Sequence, residues 1–173
     1  MPNRKVIYLP KTRNVEKLGY ALAEEFERSQ GRTPVFVGDD WHPTLLDPVR
    51  AWAEERGGPG CRVTCDYVSL ADGRIDRLIE VKARGGSGTS VSLVDRQYEA
   101  MQALGTDWWL YAAFDCKKPD PFLVVVGEPR RLPWRRGTLP RGAANNVESE
   151  GTWYVMPDEI ISVGERVPRP LPT

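Results

Sequence analysis

The 173-residue sequence predicts a single mixed α/β domain around one central sheet. Three observations lead there. With 40% hydrophobic residues and six tryptophans, the chain can build one core, yet it is too short for two comfortable domains. Helical and extended patterns follow in the order helix, helix, hairpin, helix, then further strands. An Asp-Gly turn between two apolar alternations marks the hairpin.

Asn14 caps a helix whose apolar positions Val15, Leu18, Leu22 and Phe26 keep a helical period, and Gly31 ends it. "PVFVG", residues 34–38, is a short strand. Asp47-Pro48 supplies an N-cap and a first-turn proline for "VRAWAEER", which stops at Gly57-Gly58. Two strands follow, over residues 62–70 and 76–83, joined at Ala71-Asp72-Gly73. "GGSGTS" is a flexible loop, and Ser92 with Asp95 gives a capping-box-like start to "VDRQYEAMQAL". Gly105 ends that helix. "WWLYAAF" and "FLVVV" are strands separated by a polar "DCKKPD" turn. Beyond Gly127 the pattern is loop-rich until the aromatic strand "TWYVM". The domain is drawn over residues 1–165, with a proline-rich tail at 166–173.

The 24 basic and 24 acidic residues cancel, so global charge names no partner. No apolar run approaches the roughly 20 residues that span a bilayer. "MPNRKVIYLPK" is too short and polar for a secretory signal. Three cysteines suit a reducing, cytoplasmic compartment. Cys61 and Cys65 lack the further ligands a zinc site needs, and Cys65 and Cys116 read as small core residues.

The chemistry concentrates in "RIDRLIEVKARGGSG". Alternation puts Glu80 and Lys82 on one strand face, opposite Ile79 and Val81. The same rule groups Val63, Cys65 and Tyr67 on one face of the preceding strand and Thr64 and Asp66 on the other. Pairing through the Asp-Gly turn brings Asp66 and Glu80 together with Lys82 beside them. Two carboxylates suit a hard divalent cation such as Mg²⁺, which keeps water and substrate oxygens in its remaining positions. The same three side chains also suit a solvated face with a weak ion pair. The apolar flanks Leu78, Ile79, Val81 and Ala83, and the glycine loop that follows, favour a site.

"CDYVSLADGRIDRLIEVKARGG" resembles the core of the PD-(D/E)XK nuclease superfamily. Asp66 matches its strand-ending aspartate, and Glu80 and Lys82 its Glu-x-Lys. More narrowly, the run from Leu18 to about Val126 is similar to the NO VEIN C-terminal-like family. The matching segments are "LGYALAEEF", "TCDYVS", "IEVKAR", "VSLVDRQYEAMQAL" and "WWLYAAF". The chain departs from that pattern where Thr64-Cys65 replaces Gly-Tyr and Tyr67 follows the aspartate. Gln97 stands where a helix glutamate is often found, a position at which many superfamily members carry glutamine.

The resemblance implies a restriction-endonuclease-like core and Mg²⁺-dependent hydrolysis of DNA, with Mn²⁺ as a substitute, in restriction, defence or repair. Asp66 and Glu80 would hold the metal, Lys82 would position the attacking water, and Gln97 and an N-terminal-helix glutamate would support them. Glu24 and Glu25 both qualify for that last role. Glu25 is preferred because it lies beside Leu18, Leu22 and Phe26 on the helical wheel. The alternative is an inactive module that keeps the fold and binds nucleic acid or a protein. A homodimer, or a helicase or methylase partner, stays open.

A second expectation is a DNA surface. Arg130, Arg131, Arg135, Arg136 and Arg141 surround Trp134, with Lys117 and Lys118 on a neighbouring turn. The other reading is a solvated loop whose tryptophan packs back on the sheet. Gly85-Gly86-Ser87-Gly88 could approach a phosphate backbone but is not a P-loop, because no Gly-Lys-Ser/Thr follows. Trp108 and Trp109 read as core and sheet-face residues, and His42 as a loop or cap residue.

Overall fold

A computed structural model describes residues 13–38, 41–137 and 151–167. Helix α1 (Arg13–Ser29) leads to β1 (Thr33–Phe36) and α2 (Pro43–Gly57). The hairpin is β2 (Tyr67–Ala71) and β3 (Arg74–Ala83), followed by β4 (Val91–Val94) and α3 (Asp95–Leu104). Then come β5 (Trp108–Phe114), β6 (Phe122–Val126) and β7 (Arg135–Gly137). The chain closes with β8 (Thr152–Val155), α4 (Pro157–Val163) and β9 (Glu165–Val167).

Six strands form the central sheet in the order β1-β2-β3-β5-β6-β9. Only the β3–β5 pairing is parallel, with Glu80 opposite Leu110 and Lys82 opposite Ala112. The fold is therefore α/β with a mixed sheet, compatible with a restriction-endonuclease-like core. A small second sheet, β4-β8-β7, lies beside it. Val49, Ala53, Ala100, Met101 and Ile160 of α2, α3 and α4 cover one face. Leu22 and Ala23 of α1 cover the other. Among the described residues, no helix is long and apolar enough to cross a membrane.

The hairpin turn follows its residues closely. Ala71 pairs with Arg74, and the two residues between them, Asp72 and Gly73, have φ of 50° and 74°. Both left-handed positions are what a two-residue hairpin with native twist requires.

Several boundaries differ from the sequence reading. Helix α2 begins five residues before Pro48, at Pro43, where His42 accepts from the Thr44 amide. Two prolines favour a first turn here, and the first one takes it. Ser92 does not cap α3. It pairs with Tyr154 inside β4, and the helix starts at Asp95. β9 carries sheet pairing to Val167, two residues into the segment read as a tail. β7 arises where only loop was expected, and α4 in a stretch to which no element was assigned, because their short runs gain stability from pairing and packing rather than from local pattern.

Gly19 decides how closely α1 lies on the sheet. A Cβ there would fall 2.7 Å from the Ala83 Cβ, so only glycine permits this approach. Gly19→Val is expected to push α1 off β3 and cost about 1–3 kcal/mol. Chemical denaturation should show a lower midpoint at an unchanged slope.

Candidate active site

β2 is shorter than alternation suggested. Cys65 packs into the core under α2 and α3, whereas Tyr67 packs under α1. The expected common face for Val63, Cys65 and Tyr67 therefore does not form. Asp66 sits at a bend between them, outside the strand. Its backbone still belongs to the sheet: Asp66 N donates to Ile79 O at 2.9 Å, and Asp66 O accepts from Val37 N at 2.8 Å. Its carboxylate then replaces the next ladder partner, with Oδ2 accepting from Val81 N at 2.7 Å. The chain bends here because a side-chain oxygen completes the hydrogen bond that a continuing strand would have made. β3 runs on alone beside β5 to Ala83, and a cleft opens where β1 and β2 stop.

Glu80 lies in this cleft at only 3% exposure. Lys82 Nζ is 2.7 Å from Glu80 Oε1 and donates to Gln97 Oε1 at 3.3 Å. Gln97 Nε2 donates to Glu80 Oε1, and Gln97 Oε1 also accepts from Val94 N at 3.1 Å. Gln97 thus ties the start of α3 to β3, and its amide faces the Glu80–Lys82 pair as expected. Asp66, Glu80, Lys82 and Gln97 all line one cleft of about 1180 Å³.

Glu25 is not among them. It is exposed and lines a separate, smaller cleft with Phe26, Phe122 and Val167. Its wheel neighbours were read correctly, but that flank of α1 faces β6 and β9. The site lies toward β1 and β2 and toward the helix start, roughly 13 Å along the axis at 1.5 Å per residue. The helix carboxylate that does reach the cleft is Glu16. It acts through Tyr20, whose hydroxyl lies 3.1 Å from Glu16 Oε1 and 3.2 Å from Asp66 Oδ1. The i, i+4 spacing of Glu16 and Tyr20 was the signal available in the sequence. Glu24 instead accepts from Tyr67 Oη at 3.0 Å.

Burial pushes the Glu80 carboxyl up to about 7, and the Asp66 charge adds to it while Lys82 opposes it. Burial also raises Asp66, against the Val81 amide and Lys82. Tyr20 is held far above its ordinary range by burial and then by Asp66 and Glu16, so its hydroxyl keeps its proton. Because Glu80 is raised, the stability it confers is full below about pH 4.5 and is lost as pH rises through about 7. The wild type should therefore lose on the order of 2 kcal/mol between pH 5 and 8 without divalent cations. Glu80→Gln should remain flat over that range, as thermal denaturation would reveal.

The oxygen-only pair suits a hard cation, which would offset the cost of holding a buried and a half-buried carboxylate together. No group of three His, Cys, Asp or Glu side chains forms among the described residues, so water or substrate would complete the coordination.

The predicted arginine surface is dispersed. Arg130 pairs with Glu128 at 3.2 Å and packs over Gly105, ahead of β5. Arg131 is exposed on the same turn. Since Leu110 pairs with Val126, that turn lies at the opposite sheet end from Lys82. Arg135 is bound by Glu159 at 2.7 Å, and Arg136 lies 3.7 Å from Asp95. Trp134 packs on the core and donates to Pro129 O, so it is no stacking platform. Arg141 lies outside the described residues. Lys117 and Lys118 are better placed. Lys117 packs on Gly85, two residues after β3, while Lys118 pairs with Asp115 at 3.0 Å. Besides Lys82, the cations Lys17, Arg84 and Arg96 line the cleft, and these three were not singled out from the sequence.

The fold and cleft define an α/β domain that presents a buried and a half-buried carboxylate and a lysine where a hairpin ends beside a parallel strand. A family model described as Protein NO VEIN, C-terminal, matches residues 15–125, from the first turn of α1 to the penultimate residue of β6. The chain belongs to this family. Neither curated proteins nor solved structures yielded a match to it.

Proposed function

We propose that the domain is a nuclease of the PD-(D/E)XK type that hydrolyses DNA phosphodiester bonds with Mg²⁺, or with Mn²⁺ in its place. The observation that carries this reading is the placement of Asp66, Glu80, Lys82 and Gln97 in one cleft, with Lys82 2.7 Å from Glu80. Asp66 and Glu80 are the residues that would hold the cation. When bound, it would lower the pKa of a coordinated water and neutralise charge on the phosphodiester. Lys82 brings an ammonium to the same place, where it orients the attacking water and offsets the charge that develops on phosphorus. Gln97 holds Lys82 and Glu80 in register, and Tyr20 steadies Asp66. Lys17, Arg84 and Arg96 supply positive charge for phosphates on either side. Restriction, defence or repair in the cytoplasm fits this chemistry.

Calorimetric titration with Mn²⁺ tests the metal pair. Saturable binding that disappears in Glu80→Ala is expected. An absence of binding to the wild type would favour a module that keeps the fold and binds nucleic acid or a protein without cleaving.

A further inference from the structure

Two aromatic rings that line the cleft, Tyr20 and Phe36, meet a third, Tyr67, beneath them. Phe36 lies 5.1 Å from Tyr20 and 5.2 Å from Tyr67, centroid to centroid, at interplanar angles of 62° and 66°. Tyr67 is buried at 2% exposure, but Phe36 is 53% exposed, the highest of any large hydrophobic side chain among the described residues. Single exposed apolar residues are ordinary on a protein surface. This one is set apart by its position. It ends β1, lines the same cleft as Asp66, Glu80 and Lys82, and shares that cleft with Lys17 and Arg84.

The ring is held in place. Tyr20 packs against it and also hydrogen-bonds Asp66 at 3.2 Å. The next residue, Val37, donates its amide to Asp66 O at 2.8 Å. Gly38, at φ +49°, passes so close that a Cβ there would lie 3.0 Å from Phe36 Cζ. A ring fixed by three neighbours and still more than half open has little freedom to lose when a flat group stacks on it.

We propose that Phe36 is a base-stacking residue and that the cleft takes single-stranded DNA, with an unpaired base seated on the ring and the adjoining phosphate directed to Asp66 and Glu80. This rests on the nuclease reading. A base inside a duplex has both faces covered by its neighbours, so an exposed ring beside the carboxylates favours a strand whose bases are free. The cations in the cleft complement the backbone, while the ring supplies a contact indifferent to base identity.

The test measures binding of a single-stranded oligonucleotide, its duplex and an abasic strand of equal length, in Ca²⁺ to hold off cleavage. Wild type is expected to bind the base-containing strand most tightly. Phe36→Ala should weaken that binding about tenfold, to the level of the abasic strand. Phe36→Trp should retain it, and Phe36→Leu should lose it while preserving a β-compatible side chain and the thermal midpoint. Equal affinity of wild type for the base-containing and abasic strands would overturn the proposal. So would unchanged binding by Phe36→Ala. In either case metal-dependent cleavage by the wild type would leave the nuclease reading standing. Failure of the wild type to bind any of the three polymers would overturn both.

Discussion

Lys82→Ala is expected to lower DNA cleavage on the order of 10²–10³-fold while leaving fold and DNA affinity nearly unchanged. The side chain is 20% exposed and reaches Glu80 and Gln97 at the polar end of β3, not the apolar layer. Removing it creates no cavity of the kind a core truncation leaves. One ammonium is also only one of several cations around the cleft, so ground-state affinity should fall little and its salt dependence by about one contact. What is lost is charge stabilisation at the moment phosphorus becomes five-coordinate. Cleavage rates with Mn²⁺, set beside binding isotherms across salt, separate the two effects. A parallel fall in affinity and rate would make Lys82 a binding residue only.

The largest effect on stability is expected far from the cleft, at Glu27. This carboxylate is fully buried beneath the C-terminal end of α1. It accepts from Arg32 Nε at 2.7 Å and from a second guanidinium nitrogen at 2.9 Å. Ser69 Oγ and Tyr111 Oη also donate to it. Burial alone would raise its pKa, but these hydrogen bonds outweigh burial and hold it below the usual range. Glu27→Ala strands a mostly buried guanidinium and two hydroxyls, and should cost about 3–5 kcal/mol. Because its pKa is lowered on folding, the stability Glu27 provides is present above about pH 4.5 and is lost as pH falls through the depressed value. Urea denaturation at pH 7 and pH 3 should show the mutant's deficit shrinking at the lower pH. A deficit independent of pH would mean that packing, not charge, is what Glu27 contributes.

The parts of the molecule that could be read from the sequence are those governed by local rules. The Asp72-Gly73 turn, the helical run through Leu22 and Phe26, and the alternation of Glu80 and Lys82 against Ile79 and Val81 all depend on neighbours within a few residues. The hairpin then brought Asp66 and Glu80 to one cleft, whereas Gln97 came from the family resemblance. Elements set by distant contacts were less legible. Asp66 breaks β2 because its own carboxylate captures the Val81 amide. β4 exists because β8, 61 positions further on, pairs Val91 with Val155 at one end of the ladder and Val94 with Thr152 at the other. Glu25 failed for a geometric reason: a helical wheel ranks residues by angle, but does not say which flank meets which strand or how far along the axis a site lies. The arginine run does not gather into one surface because local charge density omits the acids that fold back on it, here Glu128, Glu159 and Asp95.

The central claim is that Asp66 and Glu80 form a cation-dependent hydrolytic site. Incubation of supercoiled, linear and single-stranded DNA with wild type and Asp66→Asn in Mn²⁺ tests it most directly, since Asn keeps the shape of the side chain and removes its charge. Cleavage by the wild type that stops on chelation and is missing in Asp66→Asn is the predicted result. No cleavage of any of the three DNAs by the wild type, or equal cleavage by Asp66→Asn, would contradict it.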